Sequence, residues 1–533
     1  MAGRRALSWH SVSSMAPNTD FSQKPDPFRR GIAVALPAAI ALIYALGHLN
    51  WYLGTPLGRV PVLDERENID LAGAVFGGTL PALPFYRAPG YALVLAGLRA
   101  VGISAGGLFP AALLLGALLH ALDAALVACI ARRWFGGRAA LAAGLLFGLD
   151  PVMVHFATQA LDATLSLALF LVGLNFLAAA LAAPDRARAW AGAGISWAAA
   201  ALVRPNYLLT WVLVPLFALF LCGSRARGRI LAASLAGVVL FGAQSAWQRR
   251  VCGVAGFLPW QGAYNLWAAN RPGANGRFYS QQVSISPALA RSNPARAESV
   301  YLYEKETGGQ PPDIPLMNAH WRRRFLDEVS SHPLRWAALE ARKAYALLNN
   351  WEQYNNKTFA FHKARSPWLS WNPICWGVLL VLGVAGAARL ASESPRTAIA
   401  LAAVAAACAA SILLFFVSAR FRLPLAAILA VLAGGALVSP AFWTGWSPGR
   451  RAALAFSVVL AGFAAFSNIG GVGDRSTFVQ DHVLLARAAF TVGDDATALS
   501  EAREALKMQP WHPDAAVIAE AASAELARKG TGP

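Results

Sequence analysis

The sequence is poor in charge, in cysteine and in methionine. Charged residues make up 14% of its 533 positions, against about 25% in an ordinary soluble domain. That scarcity excludes a soluble enzyme and a disordered chain. Cys129, Cys222, Cys252, Cys375 and Cys408 share no spacing and form no CxxC, so neither a disulfide scaffold nor a zinc or redox motif is indicated. Acids are outnumbered, with 28 Asp and Glu against 46 Lys and Arg, a net charge of +18. This excess does not indicate nucleic acid. Its arginines stand in short clusters between apolar runs, at Arg29-Arg30, Arg132-Arg133, Arg186/Arg188, Arg225/Arg227/Arg229 and Arg450-Arg451, as the positive-inside rule produces. What is abundant is apolar: 56% of residues are hydrophobic and mean hydropathy is +0.45. The expected class is an all-α polytopic membrane protein.

Apolar runs of near-membrane length fall at 31–50, 108–131, 139–158, 160–183, 189–203, 206–222, 228–247, 371–389, 396–416, 423–439 and 452–470. A hydrocarbon core of about 30 Å needs about 20 helical residues, so these are eleven candidate spans, 189–203 being short. The first 30 residues are polar, are expected to be disordered and cytoplasmic, and lack a signal-peptide cleavage site after the first run. With the N-terminus inside, the run 89–103 decides the topology. If it lies at the outer interface rather than spanning, the Arg clusters at 132–133, 186–188 and 225–229 all fall inside. The first loop 51–88, the large polar insertion 248–370 and the soluble tail 474–533 then all lie outside. The loop 150–162 and the junctions at Arg204 and Arg420/Arg422 open on that side as well.

Outer-side segments carry nearly all the unusual polar residues. Asp64-Glu65-Arg66-Glu67 follows the first span. Phe85-Tyr86-Arg87-Ala88-Pro89-Gly90-Tyr91 sets a cation among aromatics. Arg beside acids at a membrane surface suits a substrate with a phosphate and a lipid tail. Asp162 stands at the outer end of a span, where an ionisable residue is a functional candidate or a helix N-cap. Asp150, before Pro151, reads as a turn residue, His155 as structural, and His120 with Asp123 as a helix-packing pair. Val203-Arg204-Pro205-Asn206 and Ser418-Ala419-Arg420-Phe421-Arg422-Leu423-Pro424 place cations against the topology rule, either for an anionic headgroup or as snorkelling anchors. Gln261-Gly262-Ala263-Tyr264-Asn265-Leu266-Trp267-Ala268-Ala269-Asn270, ending at Gly276-Arg277-Phe278-Tyr279, interleaves rings and amides as sugar sites do. In the tail, Asp481 to Phe490, Gly493-Asp494-Asp495 and Ala498…Ala502…Ala505…Pro510 resemble one tetratricopeptide unit. The simpler alternative is a plain helical hairpin.

These stretches, in this order over about 30–440, resemble the GT-C class of membrane glycosyltransferases. They are most similar to bacterial glycosyltransferase family 39, relatives of protein O-mannosyltransferases and lipid A aminoarabinose transferases. The markers are Asp64-Glu65, Arg87 to Tyr91, Leu161-Asp162, Val203 to Asn206, Tyr264 to Asn270 and Ser418 to Pro424. The resemblance implies a catalytic domain over 31–470 and a polyprenyl-phosphate-linked sugar donor used at the outer face of the membrane. The acceptor would be a lipid, a glycan or a protein. Asp64 corresponds to the family's first-loop acid, with Glu65 beside it, Asp162 to its second acid and Arg87 to its basic residue. Asp64 is then the base candidate. Asp162 would orient acceptor or base, or hold a divalent cation against the phosphate. Arg87, Arg204, Arg420 and Arg422 would neutralise the leaving phosphate, with Tyr91, Asn265 and Asn270 as further substrate contacts. Direct displacement would invert the anomeric centre. The Glu and His with which some relatives place a metal near the lipid phosphate have no equivalent pair here. Two alternatives use the same chain differently: a polysaccharide polymerase or ligase on polyprenyl-linked sugars, and a non-enzymatic membrane scaffold with the tail as its protein-binding module.

Overall fold

A computed structural model describes residues 27–222, 227–283, 293–309 and 313–530. The disorder expected of the N-terminus and the Arg225 position lie outside these residues, apart from 27–30. The described chain is helical, with one isolated bridge between Asn355 and Lys357 as its β-contact. Eight of its helices are long and apolar enough to cross a membrane, and nine if one bent pair counts as a single span. This is fewer than the eleven runs. The run 139–158 is broken into Gly137–Gly148 and Pro151–Ala157, inclined at 59°. Asp150 makes the break: its Oδ1 accepts from Val152 N at 2.8 Å, and Pro151 occupies the first helical position, where its missing N–H costs nothing. Ala187–Val203 has 17 residues, and the next run starts with a tight turn at Pro205–Tyr207. The run 89–103 forms Gly90–Ala100, 11 residues, which at a 1.5 Å rise is about half a membrane's thickness.

The bundle is assembled through small residues, the device helices use where lipid gives no hydrophobic drive for association. A Cβ on Gly386 would lie 1.9 Å from Leu432 O, so Trp376–Glu393 and Leu423–Leu437 meet backbone to backbone. Leu423–Leu437 runs through the middle, with Ala427, Ala430, Val431 and Ala433 fully buried. Pro448–Phe466 lies at the edge and exposes Phe456, Val459, Leu460 and Phe463, the surface expected towards lipid. His120 and Asp123 do not pair. His120 Nε2 meets Gly148 O at 3.0 Å, and both buried Asp123 oxygens have no hydrogen-bond partner among the described residues. His155 is buried in ring contact with His362, Phe156 and Phe359.

The insertion and the tail sit at one end of the bundle. The insertion has an aromatic core of Trp260, Tyr264, Trp267, Tyr303 and Trp321. The tail is three successive helices, Phe478–Thr491, Asp495–Met508 and Pro513–Gly530, closed on Ala486, Ala489, Ala498, Ala502, Ala505, Ala515 and Ala522. It docks on two places. Leu484 and Ala488 pack with Tyr52 and Leu57 of the first loop. Asp481 accepts from Thr358 N at 2.8 Å and faces His362 Nε2 at 3.2 Å. Phe361 meets Phe478 and His482 edge to face. The tail, the first loop and the insertion therefore share one end of the molecule.

Candidate active site

The acids of the first loop begin the helix Asp64–Gly77, where their charge suits the exposed amides of a helix N-terminus. Residues three apart on a helix share a face and adjacent ones do not. Asp64 and Glu67 accordingly bind the same guanidinium, that of Arg87. Glu65 points elsewhere. Its Oε1 takes Lys357 Nζ at 2.9 Å, and Lys357 also donates to Tyr52 Oη at 2.8 Å. Both members of this ion pair are buried.

From Asp64 the charges alternate across the end of the bundle. Arg420 Nη1 lies 3.1 Å from Asp64 Oδ2 and 3.7 Å from Asp162 Oδ1. Arg204 Nη2 stands 3.6 Å from the same Asp162 oxygen. The order is Glu67, Arg87, Asp64, Arg420, Asp162, Arg204. Asp162 is not a cap: it is the first helical residue after Leu161, and no side-chain cap bond forms. Arg204 and Arg420 flank the Phe421 ring, with guanidinium carbons 4.7 and 5.6 Å from its centroid, a favourable cation–π arrangement.

The electrostatics follow from burial and partners. Burial alone would raise the Asp64 carboxyl, but Arg87 and Arg420 outweigh it and hold it well below its ordinary value. Glu67 moves the other way. Burial pushes it up, with Asp64 adding to the rise and Arg87 opposing it. Arg204, at the break between two helices, is lowered by burial to about 10, because Asp162 beyond hydrogen-bond distance does not replace its lost hydration. It remains a cation at neutral pH. Arg204 Nη2 and Arg420 Nε are buried donors with no hydrogen-bond partner among the described residues. Such groups cost about 1–3 kcal/mol each when left unmade.

Backbone strain converges here too. Among the described residues, the non-glycine positions with positive φ are Leu63 at +48° and Asn356 at +57°. Leu63 directly precedes Asp64, and the Asn356 side chain hydrogen-bonds Asp64. Strained residues persist where surrounding structure over-determines them, and they cluster at functional sites.

Several expected site residues do other work. Arg422 pairs with Glu352 at 2.5 Å, donates to the carbonyls of Leu347, Asn349 and Trp351, and lies over Trp376. It braces the insertion. Ala419–Arg422 is a 3₁₀ turn with three residues per turn, so residues two apart point to different sides. Asn270 is buried as a joint: it accepts from Lys343 Nζ at 2.8 Å and donates to Leu414 O at 2.9 Å. Tyr264 and Trp267 are core, Tyr264 Oη donating to Glu298 at 2.6 Å. Tyr91 is buried in the apolar cluster with Leu95 and Val203. Asn265 is half-buried on Gln261–Ala268. Glu67, Asn356 and Lys357 are additions. Glu67 was open to discovery from its spacing to Asp64, whereas Asn356 and Lys357 carry no local signal.

The donor set does not fit a protein-held metal. Among the described residues no three His, Cys, Asp or Glu side chains converge for one, and Asp64 and Asp162 both face guanidiniums.

The described residues thus form a helical, membrane-type bundle with an acid–guanidinium chain at one end. Residues 87–247, less than a third of the chain, match the family described as dolichyl-phosphate-mannose-protein mannosyltransferase. No curated protein sequence matches. Among solved structures, the apo oligosaccharyltransferase of Archaeoglobus fulgidus is 13% identical with a TM-score of 0.43, over 84% of this chain and 57% of that one. The same organism's oligosaccharyltransferase AglB, with an inhibitory peptide and a dolichol-phosphate, is 14% identical with a TM-score of 0.41, over 85% and 58%. ArnT from Cupriavidus metallidurans, bound to undecaprenyl phosphate, is 18% identical with a TM-score of 0.31, over 76% and 78%. The chain thus spans little more than half the length of the archaeal proteins.

Proposed function

We propose that this protein is an integral-membrane glycosyltransferase that moves a sugar from a polyprenyl-phosphate donor to an acceptor at the outer face of the membrane. The observation that carries this reading is the pair of buried guanidiniums, Arg204 and Arg420, with unused donors beside the carboxylates of Asp64 and Asp162. A lipid phosphate satisfies those donors with charge-assisted hydrogen bonds. The apolar bundle beside them suits the lipid tail. The match of residues 87–247 to a family of mannosyltransferases supports the same chemistry.

In this mechanism the donor phosphate binds Arg204, Arg420 and Arg87. Asp64 is ionised but, clamped by two guanidiniums, is a weak base. The phosphate competes for both, so the proton affinity of Asp64 rises when the donor arrives. Asp64 then takes the proton of the acceptor as the acceptor attacks the anomeric carbon. The carbon–phosphate-oxygen bond breaks, the phosphate leaves against the guanidiniums, and the anomeric centre inverts. Asp162 holds Arg204 and Arg420 apart and aimed. Glu67 keeps Arg87 in reach and is the second carboxylate able to receive the proton. Incubating purified protein with defined polyprenyl-phosphate sugars and scoring transfer tests the reading. No transfer from any donor, with donor binding unaffected by Arg204→Ala, would remove it.

A further inference from the structure

A polar cavity lies in the insertion. It holds about 250 Å³ and is lined by Asn270, Arg271, Asn275, Arg335, Trp336 and Arg342, with Glu328 as its one acid. The three guanidiniums against one carboxylate leave a net charge of +2. Glu328 is taken by Arg335, whose Nε donates to it at 2.8 Å. Among the described residues, Arg271 hydrogen-bonds the backbone carbonyls Ser280 O at 2.8 Å and Pro272 O at 3.4 Å and lies in the field of the Glu298 carboxylate, and its buried Nε has no hydrogen-bond partner. The Asn275 carbonyl accepts from Arg277 N and Phe278 N, which leaves its amide NH₂ for a ligand. Trp336 Nε1 donates to Asn270 Oδ1 at 3.2 Å, which fixes the indole plane.

The cavity is built by its loop. Gly276 has φ +74°, and a Cβ there would lie 2.8 Å from Lys343 Cγ, so the 271–276 turn closes on Lys343 only as glycine. Lys343 Nζ ties Asn270 to Leu413 O, and Val417 N donates to Gly276 O at 3.4 Å. The floor of the cavity is therefore joined to the segment that runs on to Arg420.

We infer that this cavity is a saccharide subsite, separate from the Asp64 centre, for a sugar bearing a carboxylate or a phosphate. The volume falls just under the usual small-molecule range of about 300–1,000 Å³, which suits one sugar residue rather than a chain. The indole offers a flat apolar face to a pyranose, Asn275 offers a donor to hydroxyls, and Arg342 and Arg271 offer cationic donors to the acidic group. That this is where an acceptor glycan docks rests on the transfer reading; binding itself does not.

Calorimetric titration of the full-length, detergent-purified protein with glucuronic acid, glucose 1-phosphate, glucose and inorganic phosphate tests it. At least one acidic sugar should bind, with glucose and phosphate at least tenfold weaker. Arg342→Ala and Trp336→Ala should each weaken the acidic sugar at least tenfold, while Arg204→Ala leaves it unchanged. Glucose binding as tightly as glucuronic acid overturns the charge requirement, and phosphate binding as tightly as glucose 1-phosphate overturns the sugar. Binding lost in Arg204→Ala but kept in Arg342→Ala moves it to the Asp64 centre and overturns the site. Absence of transfer from any donor, with this pattern intact, sinks the transfer reading and leaves the subsite standing.

Discussion

Arg420 Nη1 donates a 3.1 Å hydrogen bond to Asp64 Oδ2, joining the first loop to a turn 356 residues further along the chain. The contact places the base candidate inside a guanidinium clamp. A carboxylate so held is a weak base, because both guanidiniums favour its ionised form.

Asp64→Asn should abolish transfer while the protein still inserts and folds. General-base catalysis contributes roughly 10²–10⁴-fold, and a loss of at least the lower figure is expected. The amide keeps a carbonyl for one guanidinium, so detergent melting should fall without unfolding. Activity within about threefold of wild type would pass the base role to Glu67, and Glu67→Gln would then show the larger loss.

Arg204→Ala should raise donor KM more than it lowers thermal stability. Arg204 has one carboxylate neighbour, at 3.6 Å, one long hydrogen bond to Arg420 O at 3.4 Å and a ring contact with Phe421, fewer strong partners than Arg422 has. Removing a charged hydrogen bond to the phosphate costs about 1.5–3 kcal/mol, or roughly ten- to a hundredfold in donor affinity. Arg204→Lys should recover part of it, because a point charge still binds phosphate. Unchanged donor KM in Arg204→Ala would mean the phosphate is held elsewhere.

The Glu65–Lys357 pair should behave as a brace. Removing one partner of a buried ion pair strands the other charge, at a cost of about 3–5 kcal/mol. Glu65→Leu and Lys357→Met should each lower the melting temperature clearly, and the double variant should recover much of the loss. Donor KM should stay near wild type in the double variant. A double variant as unstable as the sum of its singles would show that the two residues act apart.

Much of the fold was legible because its signals are local. Apolar runs mark helices wherever they occur, and two of the arginines that stand against the topology rule, Arg204 and Arg420, do meet acids at one end of the bundle. Which runs form unbroken long helices was not legible. Asp150 breaks a run that composition alone reads as continuous, since a cap bond to Val152 N has no hydropathy signature. At the site, Asp64, Asp162, Arg87, Arg204 and Arg420 do converge. Glu65 and Arg422 do not join them, because side-chain direction in a helical turn changes with every residue while motif spelling does not. Asn356 and Lys357 were invisible, since nothing near them in sequence indicates that they fold back onto the first loop.

That difference separates Arg420 from Arg422 in experiment. Arg422→Ala strands Glu352 and frees three carbonyls, so it should lower stability by about 3–5 kcal/mol and leave donor KM unchanged in whatever protein stays folded. Arg420→Ala should raise donor KM, and because Arg87 still holds Asp64 it should cost less stability than Arg422→Ala. Melting curves and donor titrations on both variants read the contrast directly, and a raised donor KM in Arg422→Ala would return it to the phosphate site.

Deleting the tail after Gly473 should lower kcat, and this follows from where the tail docks. Asp481 holds Thr358 N and faces His362, and the two residues before Thr358 are Lys357, which braces Glu65, and Asn356, which touches Asp64. Leu484 and Ala488 cover Leu57 on the turn leading to the same helix. Without the tail the spans keep their mutual packing, but the supports of Asp64 lose one side. Asp481→Ala should reproduce most of the effect, because it leaves a buried amide and an imidazole without their acceptor. Asp514→Ala, on an exposed tail pair with Arg487, should change nothing, since exposed pairs contribute about 0–1 kcal/mol. The assay is steady-state transfer with donor and acceptor varied separately. If truncation moves only acceptor KM and Asp481→Ala is silent, the tail selects acceptors and does not support the catalytic acid.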